Sequence, residues 1–337
     1  MNYLNTARAL ELNIMDFKMN TLNEWDPLKK VVVGVADYAT IPPLDISLRT
    51  VNYADVKDES TIHQGQYPKQ VIDEANEDLE TLSNFLKLCG VEVVRPRREP
   101  VNYYNYCPRD TVIAYGNTAV AAPMSLRARE NEYLAYAEHL ENIHVVPNYQ
   151  EDDMYNLECL GDPDVLALQN HHPKFDAANV IKANDKLMYL VSNSGNKHGA
   201  QYLQELLNVP VHTLENVYSY MHIDSTVAFL REGLMLVNPS RVKSKDMLPK
   251  EFQNWDVIFS PEPVDIGHYP GWCNSSKWIN VNLLSISPSL VVVEEHQHNL
   301  RIELEKYGIE CAMLPMRHSR TLGGCFHCVT LDLVRAP

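Results

Sequence analysis

Residues 68–94 read PKQVIDEANEDLETLSNFLKLCGVEVV, and they contain the pattern on which most of the chain is built. Apolar residues recur there at helical spacing, with acidic residues on the opposite face. They are Val71, Ile72, Ala75, Leu79, Leu82, Phe85 and Leu86. Gly90 ends the predicted helix, because glycine readily adopts the left-handed conformation that closes many helices. Val91–Val94 follows as a predicted strand.

The same helix-then-strand pattern recurs along the chain at a spacing of roughly fifty residues. The further predicted units have helices over Arg129–Leu140, Gly199–Leu207, Met247–Trp255 and Glu295–Tyr307, each followed by a strand. Other strand-like runs lie between the units: Thr111–Tyr115, Leu187–Val191, Leu234–Val237 and Leu290–Val293. This recurrence favours a closed α/β repeat architecture over two domains in series. A doubly wound α/β sheet is the alternative, although no glycine-rich phosphate loop follows any strand.

Composition excludes several classes of function. The chain has 337 residues, a formal charge of -15 and a pI near 5.3, which argues against nucleic acid or an anionic membrane as partner. No apolar run reaches the ~18 residues that a membrane span needs. Seven cysteines, an odd number spread widely, do not resemble a disulfide framework. We therefore expect a cytoplasmic protein with reduced thiols.

The N-terminus carries little pattern. Residues 1–20 are expected to be a leader, loosely ordered or loosely docked. Structure is predicted to begin at the polar turn Asn23–Leu28, followed by the strand Lys30–Val35. No Gly/Ser linker or low-complexity break divides the rest of the chain, so residues 21–337 are predicted to form a single domain.

The segment Arg317–Thr330 reads RHSRTLGGCFHCVT and has the character of a catalytic loop. Paired glycines let the backbone turn sharply, and Cys328 is predicted to be the first residue of the strand that follows. A thiol held there in a cleft suits a nucleophile. A small buried hydrophobic residue is the alternative reading of Cys328. Cys325-x-x-Cys328 has zinc or redox spacing, but no second such pair completes a four-ligand site, so no metal is expected.

Four other polar clusters stand at similar places in the predicted units: Cys107–Asp110, Lys174–Asn179, Met221–Thr226 and Asn274–Lys277. His222 and Asp224 alternate, so in an extended chain both side chains would point to one face. Singly, each polar residue has a structural explanation, such as a satisfied core histidine, a cap or a surface charge. Together with the thiol they predict a central cleft whose carboxylates suit a guanidinium-like group.

At this level of detail the chain resembles the arginine amidinotransferases over nearly everything from Asn23 to Val334. The shared landmarks are Asn23–Leu28, Pro108–Asp110, Phe175–Ala178, Met221–Asp224, Ser275–Trp278 and Leu322–Cys328. The resemblance implies the five-bladed α/β propeller called the pentein fold. It also implies a homodimer, and a reaction between small molecules that needs no metal, nucleotide or flavin.

The same resemblance assigns roles to individual residues. Cys328 would be the nucleophile, His222 the general acid and base, and Asp176 its carboxylate partner, whereas Cys325 would be a bystander. Two groups would hold the donor arginine: Asp110 and Asp224 at the guanidinium, and Arg241, Ser275 and Ser276 at the carboxylate. Arginine would give its amidino group to the thiol and leave as ornithine. A primary amine would then take the amidino group.

The acceptor amine is the least determined part of this reading. The family's glycine enzyme has an Asn three residues before the catalytic His, where this chain has Ser219, while Met221 is kept. This difference favours a larger natural-product amine, of the kind found in guanidine-toxin pathways, over glycine. Two alternatives keep the fold: an arginine hydrolase that uses water, and a non-enzymatic propeller that binds arginine-like ligands.

Overall fold

The computed structural model describes residues 18–101, 103–160, 165–217 and 221–336. Across these ranges, the β-structure consists of five three-stranded sheets and one two-stranded sheet. In every three-stranded sheet, the central strand pairs with an antiparallel neighbour on one side and a parallel neighbour on the other. The five sheets therefore repeat one structural unit, as the recurring sequence pattern predicts.

The first sheet unites the two ends of the described chain, with Leu28–Val33 between Thr330–Arg335 and Glu92–Val94. The strands of the other four, in order of pairing, are Val112–Tyr115, Thr118–Ala121 and Ile143–Val145; Val180–Ala183, Lys186–Leu190 and Val211–Leu214; Val227–Arg231, Leu234–Val237 and Asp256–Phe259; Leu284–Ser287, Leu290–Glu294 and Glu310–Leu314. The short sheet pairs Thr40–Ile41 with Gly65–Gln66.

The α-helices of the described residues are Ile46–Val51, Lys69–Leu88, Lys197–Leu207, His298–Glu305 and Ser319–Leu322. Three of the five predicted units contain their α-helix. In the other two the helical segment is 3₁₀: Arg127–Arg129 with Glu132–His139, and Lys245–Met247 with Lys250–Phe252. Pro249, which cannot donate a backbone hydrogen bond, separates the last two of these.

Packing between helix and sheet explains why the apolar stripe of residues 68–94 has helical spacing. Val71, Ala75, Leu79, Leu82 and Leu86 are all buried and belong to one core cluster with Val31 and Val33 of the first sheet. Burying a side chain of this size stabilises the fold by about 1.5–3 kcal/mol. Gly90 closes the helix with a φ of 78°, as its position in the sequence predicts.

In each sheet, a short turn precedes the strand that pairs antiparallel with the central strand. These turns bring distant parts of the chain together. Four are the 3₁₀ helices Pro108–Asp110, Ala177–Asn179, Ile223–Ser225 and Lys277–Val281. The fifth is the turn 326–329 before Thr330. The four 3₁₀ helices contact one another in chain order, and the strand that starts at Thr330 contacts the first of them.

The N-terminal segment divides into two parts. Residues 1–17, which contain most of the expected leader, lie outside the described residues. Met19 is buried, and the amide of Asn20 donates to the carbonyl of Leu333, so this part of the segment packs on the domain. Within the described ranges, no helix has the length and apolar character needed to cross a membrane.

Candidate active site

The turns before the sheets carry most of the residues that the sequence singled out. Asp110 ends the first turn, Asp176 and His222 immediately precede theirs, and Asp224 lies within the third. Asp110, Asp176, Met221 and His222 line one cavity of about 30 Å³. Similar positions in successive repeats therefore become neighbours in space, which is why a cleft could be predicted from residues so far apart in sequence.

Two local expectations were wrong. Cys328 lies in the turn 326–329 and not at the start of a strand, because the strand begins at Thr330. The segment around His222 is not extended: Ile223–Ser225 is a 3₁₀ helix, and His222 is its N-cap residue. His222 and Asp224 nevertheless both reach the site, since each lies on the turn that precedes its sheet.

Cys328 is buried, and polar side chains surround its sulfur. The thiol donates to Asp224 Oδ2 at 3.2 Å, and Asn282 Nδ2 donates to the sulfur at 2.9 Å. A hydrogen bond with the Cys107 thiol, followed by burial and the negative charge of Asp224, raises the pKa of Cys328 well above its ordinary value. The thiol form is therefore favoured until a positive charge enters the site.

Asn282 is a site residue that the sequence reasoning missed. Its Oδ1 accepts hydrogen bonds from the backbone amides of Cys325, His327 and Cys328 at 3.2, 3.1 and 3.0 Å. Because those amides can only donate, the oxygen must face the turn and the Nδ2 group must face the sulfur. The sequence does not single it out, because Asn280 is a second polar residue in the same run, Trp278–Leu284.

His222 lies between two carboxylates. Its Nε2 is 3.0 Å from Asp176 Oδ2, and its Nδ1 is 3.6 Å from Asp110 Oδ1. Burial alone would lower the pKa of His222, but Asp110 and Asp176 outweigh it and raise that pKa to about 9. Asp176 is itself held by the amide and hydroxyl of Ser125, at 2.7 and 2.8 Å. His222 is therefore protonated at neutral pH and positioned as a proton donor.

Asp110 binds Arg129 through one oxygen, and its other oxygen lies 3.6 Å from His222 Nδ1. Arg129 Nη1 donates to Oδ2 at 2.6 Å, and the same guanidinium donates from Nε to Glu132 at 2.8 Å. Oδ1 is buried and accepts no hydrogen bond from the described side chains and backbone. Burial raises the pKa of Asp110. A cationic donor entering this cavity would find an acceptor atom in place at Oδ1.

Asp224 is held ionised from behind by His327, another residue without a predicted role. His327 Nδ1 is 3.0 Å from Asp224 Oδ2, and its Nε2 is 3.3 Å from Glu24 Oε2. Burial opposes ionisation of Asp224, but the hydrogen bond and charge of His327 outweigh it and lower the pKa of Asp224. The sulfur therefore lies beside a carboxylate that stays negative.

A buried network of charges supports this arrangement. Asp332 forms salt bridges with Arg109, Lys182 and Arg335, at 2.5, 2.8 and 2.9 Å. Glu24 lies 3.5 Å from Arg109 and 3.8 Å from Lys182. Each acid thus has at least two cationic neighbours, which compensates the cost of removing it from water. Arg109 belongs to this network, which gives a second residue of the landmark Pro108–Asp110 a structural role besides that of Asp110.

The residues expected at the donor carboxylate form hydrogen bonds within the protein. Arg241 Nη1 donates to Ser225 Oγ and Thr226 Oγ1, at 2.8 and 2.7 Å, directly after Asp224 in the chain. Ser275 Oγ donates to the Ser319 carbonyl, and Ser276 caps the 3₁₀ helix that begins at Lys277. These three residues are not among the described residues that line the 30 Å³ cavity. Ser219 lies outside the described residues.

Two further cysteines lie near the turn 326–329. Cys325 is buried, and burial raises its pKa well above the ordinary value. Cys107 comes close to Cys328: a methyl group built on Gly324 would lie 2.5 Å from Cys107 Sγ and 2.9 Å from Cys328 Cβ. A side chain at residue 324 would therefore clash with both, which gives a physical reason for glycine there.

Ligand-like spacing of acids and histidines occurs elsewhere. Within the described ranges, the one such group is Glu294, Glu295 and His296. Glu294 already accepts from His296 Nδ1 at 2.7 Å and from Gln297 Nε2 at 3.1 Å, so its carboxylate is occupied by neighbouring side chains. The group contributes nothing to the cavity around His222.

Comparison with known proteins defines the class of the molecule. No family model matches the chain. Inosamine-phosphate amidinotransferase 1 of Streptomyces glaucescens is 40% identical, over 93% of this chain and 95% of its own. The solved inosamine-phosphate amidinotransferase of Streptomyces griseus has a TM-score of 0.91 at 38% identity, covering 95% of this chain and 97% of that one. SxtG, the saxitoxin-pathway amidinotransferase of Microseira wollei, has a TM-score of 0.86 at 28% identity, covering 95% and 98%.

More distant structures place the fold in a broader class. DDAH from Pseudomonas aeruginosa has a TM-score of 0.58 at 14% identity, covering 90% of this chain and 99% of that one. Likeness at this level concerns the fold alone, which is the α/β pentein fold. Within that class, the identity and coverage of its relatives show that the chain belongs to the amidinotransferase family.

Proposed function

We propose that the protein transfers the amidino group of L-arginine, through a covalent amidino-cysteine at Cys328, to a primary amine. The most direct support is that the ionised carboxylate of Asp224 lies 3.2 Å from Cys328 Sγ. Asp110, His222 and Asp176 line the 30 Å³ cavity, whose described lining includes neither Cys328 nor Asp224, and the charge of Asp110 also acts on the Cys328 thiol. Carboxylates around a thiol disfavour its ionisation, so they suit a substrate that brings a positive charge with it.

In the first half-reaction, the guanidinium of arginine binds between Asp110 and Asp224, with Arg241, Ser275 and Ser276 as candidates for its α-carboxylate. The positive charge of arginine lowers the pKa of Cys328, the thiol releases its proton to water, and the thiolate attacks the guanidinium carbon. His222 donates its proton to the departing nitrogen, the C–N bond breaks and ornithine leaves. The amidino group stays on sulfur as a cationic thioether held by the same carboxylates.

In the second half-reaction, a primary amine attacks the amidino carbon. The amine gives a proton to His222, the C–S bond breaks and the thiolate of Cys328 is regenerated. A guanidino product is released, and the histidine returns to its protonated state. Apart from the proton that Cys328 gives to water when arginine binds and takes back when the product leaves, this proton balance requires no group outside the protein and the two substrates.

The acceptor is proposed to be a natural-product amine larger than glycine. The relatives differ in the amines that their names specify, which include inosamine-phosphate, glycine and L-lysine. Family membership therefore leaves the acceptor open. Ser219 and Met221 precede His222, and Met221 lines the cavity, so this segment is the proposed boundary of the acceptor site.

We infer three further properties at the same level. The five sheets are the blades of a propeller, which is supported by the chain of contacts among the turns that precede them. The active molecule is a homodimer, and it acts in the cytoplasm. These remain predictions, which size measurement in solution and localisation would test.

Product analysis with arginine, with and without a panel of primary amines, tests the proposal. Ornithine and a new guanidino compound should form together, and sustained turnover should need the amine. Without an amine, one equivalent of ornithine per active site should form as a burst. Sustained formation of citrulline without an amine would contradict the transferase and support the arginine hydrolase that the sequence left open.

A further inference from the structure

A second, larger cavity adjoins the one around His222. Its volume is about 270 Å³, and it lies between residues 41–63 and residues 271–274. Asn52 and Asn274 line both cavities, so the two are neighbours with a shared wall. The cavity around His222 is only about 30 Å³ and cannot hold more than the reacting end of a substrate. The remainder of a larger amine would need adjacent space.

In the wall between the cavities, the side chain of Asn274 is fixed by hydrogen bonds, whereas Asn52 has an acceptor atom without a hydrogen-bond donor among the described residues. Asn274 Nδ2 donates to Tyr67 Oη at 2.7 Å and to the Thr321 carbonyl at 2.8 Å, which fixes its amide. Asn52 Nδ2 points to Tyr103 Oη at 3.4 Å. Asn52 Oδ1 is buried and accepts no hydrogen bond from the part of the chain that the structure describes. A ligand with an N–H or O–H donor would satisfy it.

The charge of the larger cavity is negative. Asp55 is exposed along its lining, beside the polar side chains of Tyr53 and Thr61. The described residues that line it include no Lys or Arg. Two arginines contact lining residues: Arg320 donates to Cys273 Sγ and is paired with Asp265, and Arg49 donates to the Val56 carbonyl and is paired with Glu59. Phosphate and carboxylate ligands are usually held by such cations, so this cavity disfavours them.

An aromatic surface forms another side. The rings of His63 and Trp272 are stacked, with centroids 4.7 Å apart and an interplanar angle of 9°. Tyr67 packs against the same indole at 4.7 Å. Faces of aromatic rings attract ammonium groups and cover the carbon skeleton of a ligand.

We propose that this second cavity binds the body of the acceptor, and that the acceptor is a primary amine whose far end is cationic or hydroxylated and carries no phosphate or carboxylate. The proposal rests on the transferase function proposed above. The reacting amine would lie near His222, the wall formed by Asn52 and Asn274 would flank the ligand, and Asp55 would attract its far end. The proposal predicts a preference among acceptor amines that membership of the family does not predict.

Four acceptors of one chain length test the proposal: 1,5-diaminopentane, 5-aminopentan-1-ol, 5-aminopentanoate and 5-aminopentyl phosphate. At low ionic strength, kcat/KM should be highest for the diamine, next for the alcohol and lowest for the two anions. Asp55→Asn should lower kcat/KM for the diamine about threefold to fivefold, the range of an exposed charge pair, and leave the alcohol unchanged. Asp73→Asn, an exposed acid on the helix Lys69–Leu88, is the matched control and should change neither.

The outcomes separate this inference from the proposed function. The proposal assigns the second cavity to the acceptor alone, so Asp55→Asn should leave the ornithine burst with arginine alone intact. A burst followed by best turnover with either anion would overturn the inference and leave the transferase standing. Equal effects of Asp55→Asn on diamine and alcohol, or no effect on either, would also overturn it. Absence of the burst from the wild-type protein would overturn the transferase, and this inference with it.

Discussion

Asn282 Nδ2 lies 2.9 Å from Cys328 Sγ, while the Oδ1 atom of the same amide accepts from the backbone amides of Cys325, His327 and Cys328. The oxygen of one side chain therefore holds the backbone of the turn 326–329, and its nitrogen donates to the sulfur. A hydrogen-bond donor at sulfur favours the thiolate, and so opposes the raising effects of Cys107 and Asp224 on the pKa of Cys328.

Replacing Asn282 separates these two roles. Asn282→Asp keeps an oxygen for the backbone amides but places a second carboxylate at the sulfur, so the pKa of Cys328 should rise further. We expect alkylation by iodoacetamide at pH 8 to slow at least tenfold, and ornithine release to slow with it. Asn282→Leu should lose the turn as well and lower Tm, because three buried amides lose their acceptor. An unchanged pH profile of alkylation in Asn282→Asp would show that the amide acts on the backbone alone.

Cys328→Ala tests the nucleophile itself. The variant should release no ornithine and form no covalent adduct, whereas the wild-type protein quenched after mixing with arginine should gain the mass of an amidino group. Cys325→Ala is the matched control, because Cys325 directly precedes the same turn and its sulfur is not part of the proposed chemistry. Adduct formation in Cys328→Ala would assign the nucleophile to another thiol, with Cys107 the nearest alternative.

Gly324→Ala tests how tightly the turn is packed. The added methyl would lie 2.5 Å from Cys107 Sγ and 2.9 Å from Cys328 Cβ, so one of the two must move. We expect a loss of stability of about 1–3 kcal/mol, as for other overpacked cores, and a larger fractional loss of kcat. Gly90→Ala is the control: its φ of 78° costs about 1 kcal/mol, but nothing lies within 4 Å, so activity should remain. Full activity in Gly324→Ala would show that the turn can relax.

The sequence predicted the repeated fold better than it predicted local geometry. Helical spacing from Val71 to Leu86 and the recurrence of the unit were enough to indicate a repeated α/β fold, because burial of one face imposes that period. Resemblance then assigned Cys328, His222 and Asp176, and the last two prove to be hydrogen-bonded neighbours. The sequence could not show that Ile223–Ser225 is a 3₁₀ helix, since three residues carry no period of their own.

Residues that act through other residues were the ones missed. Asn282, His327 and Arg129 contact Cys328, Asp224 and Asp110 respectively, at 2.9, 3.0 and 2.6 Å. The numbers of residues that separate them from those partners follow no pattern, because the pairing depends on how the turns meet in the fold. Only coordinates bring such partners together.

The buried charges around Asp332 predict a large loss on removing one of them. Asp332→Asn leaves Arg109, Lys182 and Arg335 without their shared carboxylate, and breaking a buried pair in this way costs about 3–5 kcal/mol. Glu303→Gln removes an exposed partner of Lys306 and should change the free energy of unfolding by no more than about 0.5 kcal/mol. Denaturant titration of both variants measures the difference. Similar values for the two would show that the network is not a source of stability.

The raised pKa of His222 gives stability a pH dependence of defined sign. The pKa is about 9 in the folded state against 6.5 for the ordinary residue, so protonation favours the folded state. This contribution is complete below pH 6.5 and is lost as pH rises through about 9; its full size is about 3 kcal/mol. Between pH 6.5 and 10, wild-type protein should therefore lose about that much more unfolding free energy than His222→Gln, measured by denaturant titration without arginine. His327 is present in both proteins, so its own titration contributes to both curves. Parallel curves for the two proteins would mean that His222 is neutral in the folded state, and it would then be unable to protonate the departing amine.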